Sequence, residues 1–315
     1  MRKFIVGIAM LSMAAFFLAA CGSDDKASGE GGDGKLKVVT SFTIIEDMAK
    51  EVGGDNVEVT NLVPTGTDPH EYEPTPDDIK AATDADVLFY NGLNLEGGEK
   101  GWFFKMLDST GQDEENAYLL TEDVEPMYIG GGDSEHEEEI NPHAFIDPGV
   151  GIKMTEALRD AFVEVDPDNK EEYEKSAEEY LKQLKEIDKE YEERINEIPE
   201  ENRVFVTSER AFQYMTSHYG LKEGWIWEID TDENGSTEQI TSLVEFLEEN
   251  EAPVVFTESN VDPRPMETVS NESGVPNFED PIYSDEIGGE GADTYLSYLE
   301  YNIDVIAEGL GGDKE

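Results

Sequence analysis

Apolar positions fall in short blocks whose period alternates along the chain. Residues 36–41 form an apolar run that predicts a strand; Ile44, Ile45, Met48 and Val52 then recur at three- and four-residue steps, predicting a helix over 43–52 that stops at Gly53 and Gly54. A second strand is expected over 57–63, followed by a helix capped by Thr75 with Pro76 at its first position. A third strand over 86–91 precedes amphipathic helices over 102–107 and 152–163, the latter with Ile152, Leu158 and Phe162 on one face. Strands alternating with helices predict an α/β lobe with a mainly parallel sheet.

The pattern then changes. Tyr173, Ala177, Tyr180, Leu184, Ile187, Tyr191, Ile195 and Ile198 trace one stripe through a stretch otherwise rich in Glu and Lys. This predicts one helix over 166–198, capped by Asp166, opened by Pro167 and closed by Pro199, about 48 Å long at ~1.5 Å per residue. A single short stripe suits a strut between lobes better than an isolated coiled coil. Beyond it the alternation resumes: strands over 203–207, 225–229 and 253–257, and helices over 209–219, 236–247 (Ser236 and Gln239 as a capping box), 262–274 and 293–308. The expected architecture is two α/β lobes, each with a mainly parallel sheet flanked by helices, bridged by one long rigid helix. Expected boundaries are 36–165, 166–199 and 200–312, with a ligand cleft beyond the carboxyl ends of the strands.

Composition alters this picture at two points. The 315-residue chain carries 75 acids against 22 bases, a net charge of −53. Nucleic acid is excluded as a partner, because phosphate binding needs clustered Lys and Arg. The acidity suits a protein kept soluble in concentrated salt, where the Debye length falls to about 3 Å, more than a device for gathering cations. The N-terminus is the second point. Arg2 and Lys3 precede an apolar run from Phe4 to Ala20, and small residues lead into Cys21, the one cysteine. This reads as an export signal over 1–20. The cysteine resembles that of a bacterial lipobox, acylated as the first mature residue. Gly-, Ser- and Asp-rich residues 22–34 then form a tether, so 21–35 is a lipidated, flexible segment. The working part is expected on the extracellular face of the membrane, as a lipid-anchored monomer. One cysteine excludes internal disulfides and Cys-rich zinc sites.

Four histidines are present. His70 and His143 each follow a proline in a loop after a strand or before a helix, which suits a held metal ligand; by that evidence each suits a surface histidine equally. His136 lies in the acidic run Glu135–Glu139 and reads as a solvated loop residue. His218, in the last turn of a helix, reads as structural. Glu209 and Asp285 each follow a strand-like stretch, but little sets them apart from the other acids. Asp230, Asp232, Asn234 and Gly235 match the start of an EF-hand loop, yet its twelfth position is Thr241 rather than a bidentate Glu, so the stretch reads as a turn.

Several short motifs occur in order: Gly66-Thr67-Asp68-Pro69-His70, Asn141-Pro142-His143-Ala144-Phe145, Thr207-Ser208-Glu209-Arg210-Ala211-Phe212, Glu258-Ser259-Asn260-Val261-Asp262-Pro263-Arg264-Pro265 and Ile282-Tyr283-Ser284-Asp285. Together they resemble the zinc- and manganese-binding lipoproteins that serve ABC metal importers, the cluster A-I receptors, from about Val38 to Leu310. The resemblance implies a metal held in the interlobe cleft by His70, His143, Glu209 and Asp285. It also implies delivery of the cargo to ABC permease subunits and no enzymatic turnover. Zinc-type members usually carry His at the Glu209 position. Two nitrogens and up to four carboxylate oxygens make a harder site that suits Mn(II), with Zn(II) the alternative cargo. Two features depart from the family pattern: Asn141, where many relatives have Asp, and Arg210 beside Glu209. The rival functions are a metal-dependent hydrolase and a surface adhesin (cell-adhesion) lipoprotein. Against the first, the chain has no His-Glu-x-x-His helix, Gly-x-Ser-x-Gly turn or phosphate loop.

Overall fold

A computed structural model describes residues 34–129, 139–229 and 235–311. The export signal, Cys21, most of the tether, His136 and the Asp230–Asn234 stretch lie outside the described residues.

The first half follows the strand–helix alternation closely. β1 (Leu36–Phe42), α1 (Thr43–Gly53), β2 (Val57–Val63), α2 (Pro76–Asp84), β3 (Val87–Tyr90), α3 (Trp102–Thr110) and β4 (Ala117–Leu119) form a four-stranded parallel sheet of order β2-β1-β3-β4. The helices lie where local chemistry directs them. Thr75 accepts the Asp78 N–H while the Asp78 carboxylate takes the Thr75 N–H, with Pro76 at the first helical position. β4, too short to show a periodicity, is found through its pairing with β3. The order reverses direction between β1 and β3, so ligands are expected past the carboxyl ends of these strands. A two-residue antiparallel pair, β5 (Tyr128–Ile129) with β6 (Glu139–Ile140), precedes α4 (Pro148–Val165).

The long helix is shorter than the 166–198 span its sequence predicts. A 3-10 turn over Pro167–Asn169 leads into α5 (Lys170–Glu197), 28 residues and about 42 Å. Asp166 does not cap it. Its carboxylate instead accepts the Tyr173 hydroxyl and the Asn169 amide, both at 2.7 Å. Tyr173, Ala177, Tyr180, Leu184, Ile187, Tyr191 and Ile195 are buried as the stripe requires. α5 packs on α1 and α4 from the first half and on α9 (Tyr295–Gly309) from the second. The Tyr191 hydroxyl donates to the Leu299 carbonyl at 2.8 Å, and Arg194 pairs with Asp304.

In the second half β7 (Val204–Glu209) pairs in parallel with β8 (Lys222–Trp227). Between them lies α6 (Gln213–Tyr219), and after them α7 (Thr237–Asn250) and α8 (Arg264–Ser273). The sheet continues irregularly: the Phe256 N–H donates to the Val206 carbonyl at 2.8 Å, and isolated parallel bridges join Val255 to Asn277 and Glu258 to Ile282. The expected strand over 253–257 is therefore buried but paired through single bridges. β8 begins three residues earlier than its apolar spacing suggests, because pairing to β7 (Val204 with Lys222 through Glu209 with Trp227) sets its register. Residue 209, expected to open a helix, is the last residue of β7. The buried Glu258 carboxylate accepts the N–H of Ser208 at 3.1 Å and of Glu209 at 2.8 Å, holding the backbone extended there.

One buried apolar cluster runs from β1, α1 and α4 through α5 to Phe205, Phe212, Met215, Ile282, Tyr295 and Leu299. A smaller one, with Val206, Ile226, Trp227, Leu247, Val255 and Met266, fills the space between the second sheet and α7 and α8. Among the described residues, no helix is long and apolar enough to cross a membrane.

Candidate metal centre

His70, His143, Glu209 and Asp285 come from four separate segments. His70 sits in the loop after β2, where its N–H donates to Asp68 at 2.7 Å and the Trp102 indole N–H anchors the Pro69 carbonyl at 2.8 Å. His143 opens the 3-10 turn His143–Ile146 and is fully buried. Glu209 ends β7, and Asp285 follows the Ile282 bridge; both are buried. The placement agrees with the sheet rule, because Glu209 and Asp285 lie past carboxyl ends of the second sheet while His70 lies past that of β2.

The structure brings three of the four tightly together. One ligand atom each of His70, His143 and Asp285 lies within 4.8 Å of the others. The imidazole rings are 5.1 Å apart, and His143 Nε2 is 3.3 Å from Asp285 Oδ1. Glu209 is the outlying member, its Oε1 3.8 Å from His143 Nε2. A cavity of about 300 Å³ opens beside them, lined by Gly66, Asp68, His70, Asn260, Asp285 and Glu286.

The informative feature is what these atoms lack. His70 Nε2, His143 Nε2 and Asp285 Oδ1 are buried and make no hydrogen bond. Buried polar atoms are almost always satisfied, so three unsatisfied ligand atoms converging on one place could hold a cation. His143 and Asp285 are secured at their other ends. Asn141 Oδ1 faces His143 Nδ1 at 2.9 Å and accepts the His143 N–H at 3.0 Å, while Asn141 Nδ2 donates to the Arg210 carbonyl at 2.8 Å and to Gln213 Oε1 at 3.0 Å. With its amide nitrogen committed, Asn141 presents its oxygen to the ring, so Nδ1 carries the hydrogen and Nε2 points its lone pair inward. Asp285 Oδ2 accepts from Asn260 at 3.1 Å, which leaves Oδ1 for the centre.

Charge completes the arrangement. Burial lowers the His143 pKa, but Asp285 and Glu209 outweigh it and push the ring up to about 9. Burial, with the neighbouring His143, pulls His70 down. Against the upward pull of burial on Asp285, the His143 charge holds its carboxyl down at about 2. The site thus turns negative charge toward the His143 ring, an electrostatic setting that attracts a cation. Arg210 points elsewhere: it pairs with Glu223 at 2.5 Å and stacks 4.1 Å over the Trp225 ring. Sequence reasoning missed Asn260, Gln213 and Glu258 as supports. They carry no local signal, because their roles depend on partners far along the chain.

Two imidazoles and a carboxylate, with Glu209 close by, gather beyond the strand ends of an α/β chain, an arrangement that suits a protein that binds cations. The chain matches the zinc-uptake complex component A (periplasmic) family over residues 38–309 and belongs to that family. It is 41% identical over 306 residues to the metal ABC transporter substrate-binding lipoprotein SsaB of Streptococcus sanguinis, covering 96% of this chain and 97% of that protein. The manganese ABC transporter substrate-binding lipoprotein PsaA of Streptococcus anginosus shares the same identity and coverage. Among solved structures, the Mn-bound periplasmic metal-binding protein of Candidatus Liberibacter asiaticus superposes with a TM-score of 0.77 at 27% identity, covering 88% of this chain and 100% of that one.

Proposed function

We propose that this protein is an extracytoplasmic, lipid-anchored receptor that binds Mn(II) between its two halves and delivers it to an ABC import permease, with Zn(II) as the alternative cargo. The observation that carries this reading is the trio of unsatisfied buried atoms on His70, His143 and Asp285. Glu209 joins them as the fourth ligand. The family and the names of the relatives support the transport role. The mixed nitrogen and oxygen donor set accepts Mn(II), although the Irving–Williams order makes Zn(II) the stronger binder at almost any such site. With all four side chains committed to the ion, the protein acts as a carrier and not as an enzyme. It works as a monomer without nucleic acid, anchored through Cys21.

Titration of metal-free protein with MnCl₂ tests the reading. Asp285→Ala and Glu209→Ala each abolish tight binding while circular dichroism stays unchanged; unaltered Mn(II) affinity in both variants refutes the ligand assignment. Stoichiometric metal retention without hydrolysis of ester or phosphoester substrates separates a receptor from a metallohydrolase.

A further inference from the structure

A second group of ligating side chains gathers away from the centre described above. Asp147 lies at the N-terminus of α4, Asp188 on α5 and His218 in the last turn of α6, and one ligand atom from each lies within 4.8 Å of the others. His218 Nδ1 is 3.0 Å from both oxygens of Asp147. Two donors about 2.1 Å from a tetrahedral ion stand about 3.4 Å apart, so a small opening of this hydrogen-bonded pair would admit one.

The surroundings favour a cation. Asp147, whose side chain is 9% exposed, is pinned by the Gly149 N–H at 2.8 Å. A side chain on Gly149 would crowd the group, since its Cβ would stand 3.1 Å from His218 Cε1 and 3.2 Å from Asp147 Oδ1. The His218 ring stacks on Tyr219, centroids 4.2 Å apart. The Tyr219 hydroxyl donates to Asp188 Oδ1 at 2.7 Å, which leaves Oδ2 for a ligand. Glu192, one turn further along α5, lines the same cavity of about 330 Å³. Among the described residues, none of these three carboxylates forms an ion pair with a lysine or arginine. A protonated His218 balances one of the three charges; a divalent ion in place of its proton balances two.

We propose that Asp147, Asp188 and His218, with Glu192 within reach, form a second site for a divalent first-row metal ion, Zn(II) binding most tightly. One imidazole nitrogen and two or three carboxylates make the donor set. The site is open to solvent, so it exchanges its ion faster than the buried centre. An ion there ties together the start of α4, the long helix and α6. It acts four residues from His143, at the end of the turn that carries that ligand.

The test uses the full chain, metal-free, dialysed against ZnCl₂ in 0.5 M NaCl with excess Mg(II) to suppress diffuse binding to the acidic surface. The unmodified protein is expected to hold two zinc equivalents and the His218→Gln protein one. In an Asp285→Ala background one equivalent remains, and adding His218→Gln or Asp188→Asn weakens it at least tenfold. His218 and Asp188 are not core residues, so metal-free melting curves of these variants should match that of their parent. A zinc isotherm unmoved by either substitution overturns the proposal, as does a single equivalent on the unmodified protein that Asp285→Ala removes and His218→Gln does not. Neither result bears on the primary centre, which is read out by Asp285→Ala and Glu209→Ala.

Discussion

Asn141→Ala isolates the orienting of a ligand from its presence. The substitution leaves His70, His143, Glu209 and Asp285 in place but removes the oxygen 2.9 Å from His143 Nδ1 and the two donor contacts to the Arg210 carbonyl and Gln213. Loss of the partner that fixes a metal-ligating imidazole costs roughly 10- to 100-fold in metal affinity, or about 1.4–2.8 kcal/mol. Stability falls as well. The His143 N–H, the Arg210 carbonyl and Gln213 Oε1 lose a partner in a buried place, and each unmade bond costs about 1–3 kcal/mol unless water enters the space left behind. Because that space is polar and amide-sized, the expected net loss is about 2–3 kcal/mol. Asn141→Asp is the control: it restores an acceptor for Nδ1, so Mn(II) affinity recovers, but it turns a carboxylate toward the Arg210 carbonyl and Gln213 Oε1, so stability does not. Calorimetric Mn(II) titration and urea unfolding of metal-free protein read the two effects separately. Mn(II) affinity within twofold of the unmodified protein in Asn141→Ala would refute the idea that this contact sets the imidazole for binding.

Two further outcomes test the electrostatics. Asp47, mostly buried, accepts the Tyr295 N–H at 2.9 Å, yet burial pushes its carboxyl up to about 6. The folded protein therefore binds this proton more tightly than the unfolded chain does. The resulting stability is fully present below the ordinary carboxyl value and is lost as pH rises through about 6, an effect on the order of 2–3 kcal/mol. Asp47→Asn should flatten that part of the urea-midpoint profile and raise stability at pH 8; a profile of unchanged slope would count against it. The net charge of −53 makes self-repulsion large. Raising NaCl from 0.1 to 1 M shortens the Debye length from about 10 to about 3 Å and should raise the melting temperature of the metal-free protein. A flat or falling melting temperature would show that self-repulsion does not limit its stability.

How much was legible in the chain followed the range of the forces involved. The alternation of strands and helices, the cap at Thr75, the capping box at Ser236, and the apolar stripe from Tyr173 to Ile195 are local. They depend on neighbours three or four residues away, and the structure realises each of them. The register of β8, the single bridges at Val255 and Glu258, the transfer of Glu209 from helix to strand and the true partner of Asp166 were not legible. Each is decided by a hydrogen bond or ladder to a residue remote in sequence or turned back on the chain.

The same division governs the chemistry. The sequence by itself determined an α/β chain with a long helix, an acidic surface and a set of ordered motifs that name two histidines and two acids. Only the tertiary structure decided that Nε2 of both imidazoles and one Asp285 oxygen converge without partners, that Arg210 turns away toward Glu223, and that His218 meets Asp147 and Asp188 from three different helices. A side chain's identity is written locally. Its value as a ligand depends on which of its atoms the fold leaves unsatisfied, and that follows from packing between segments that the order of residues alone does not bring into contact.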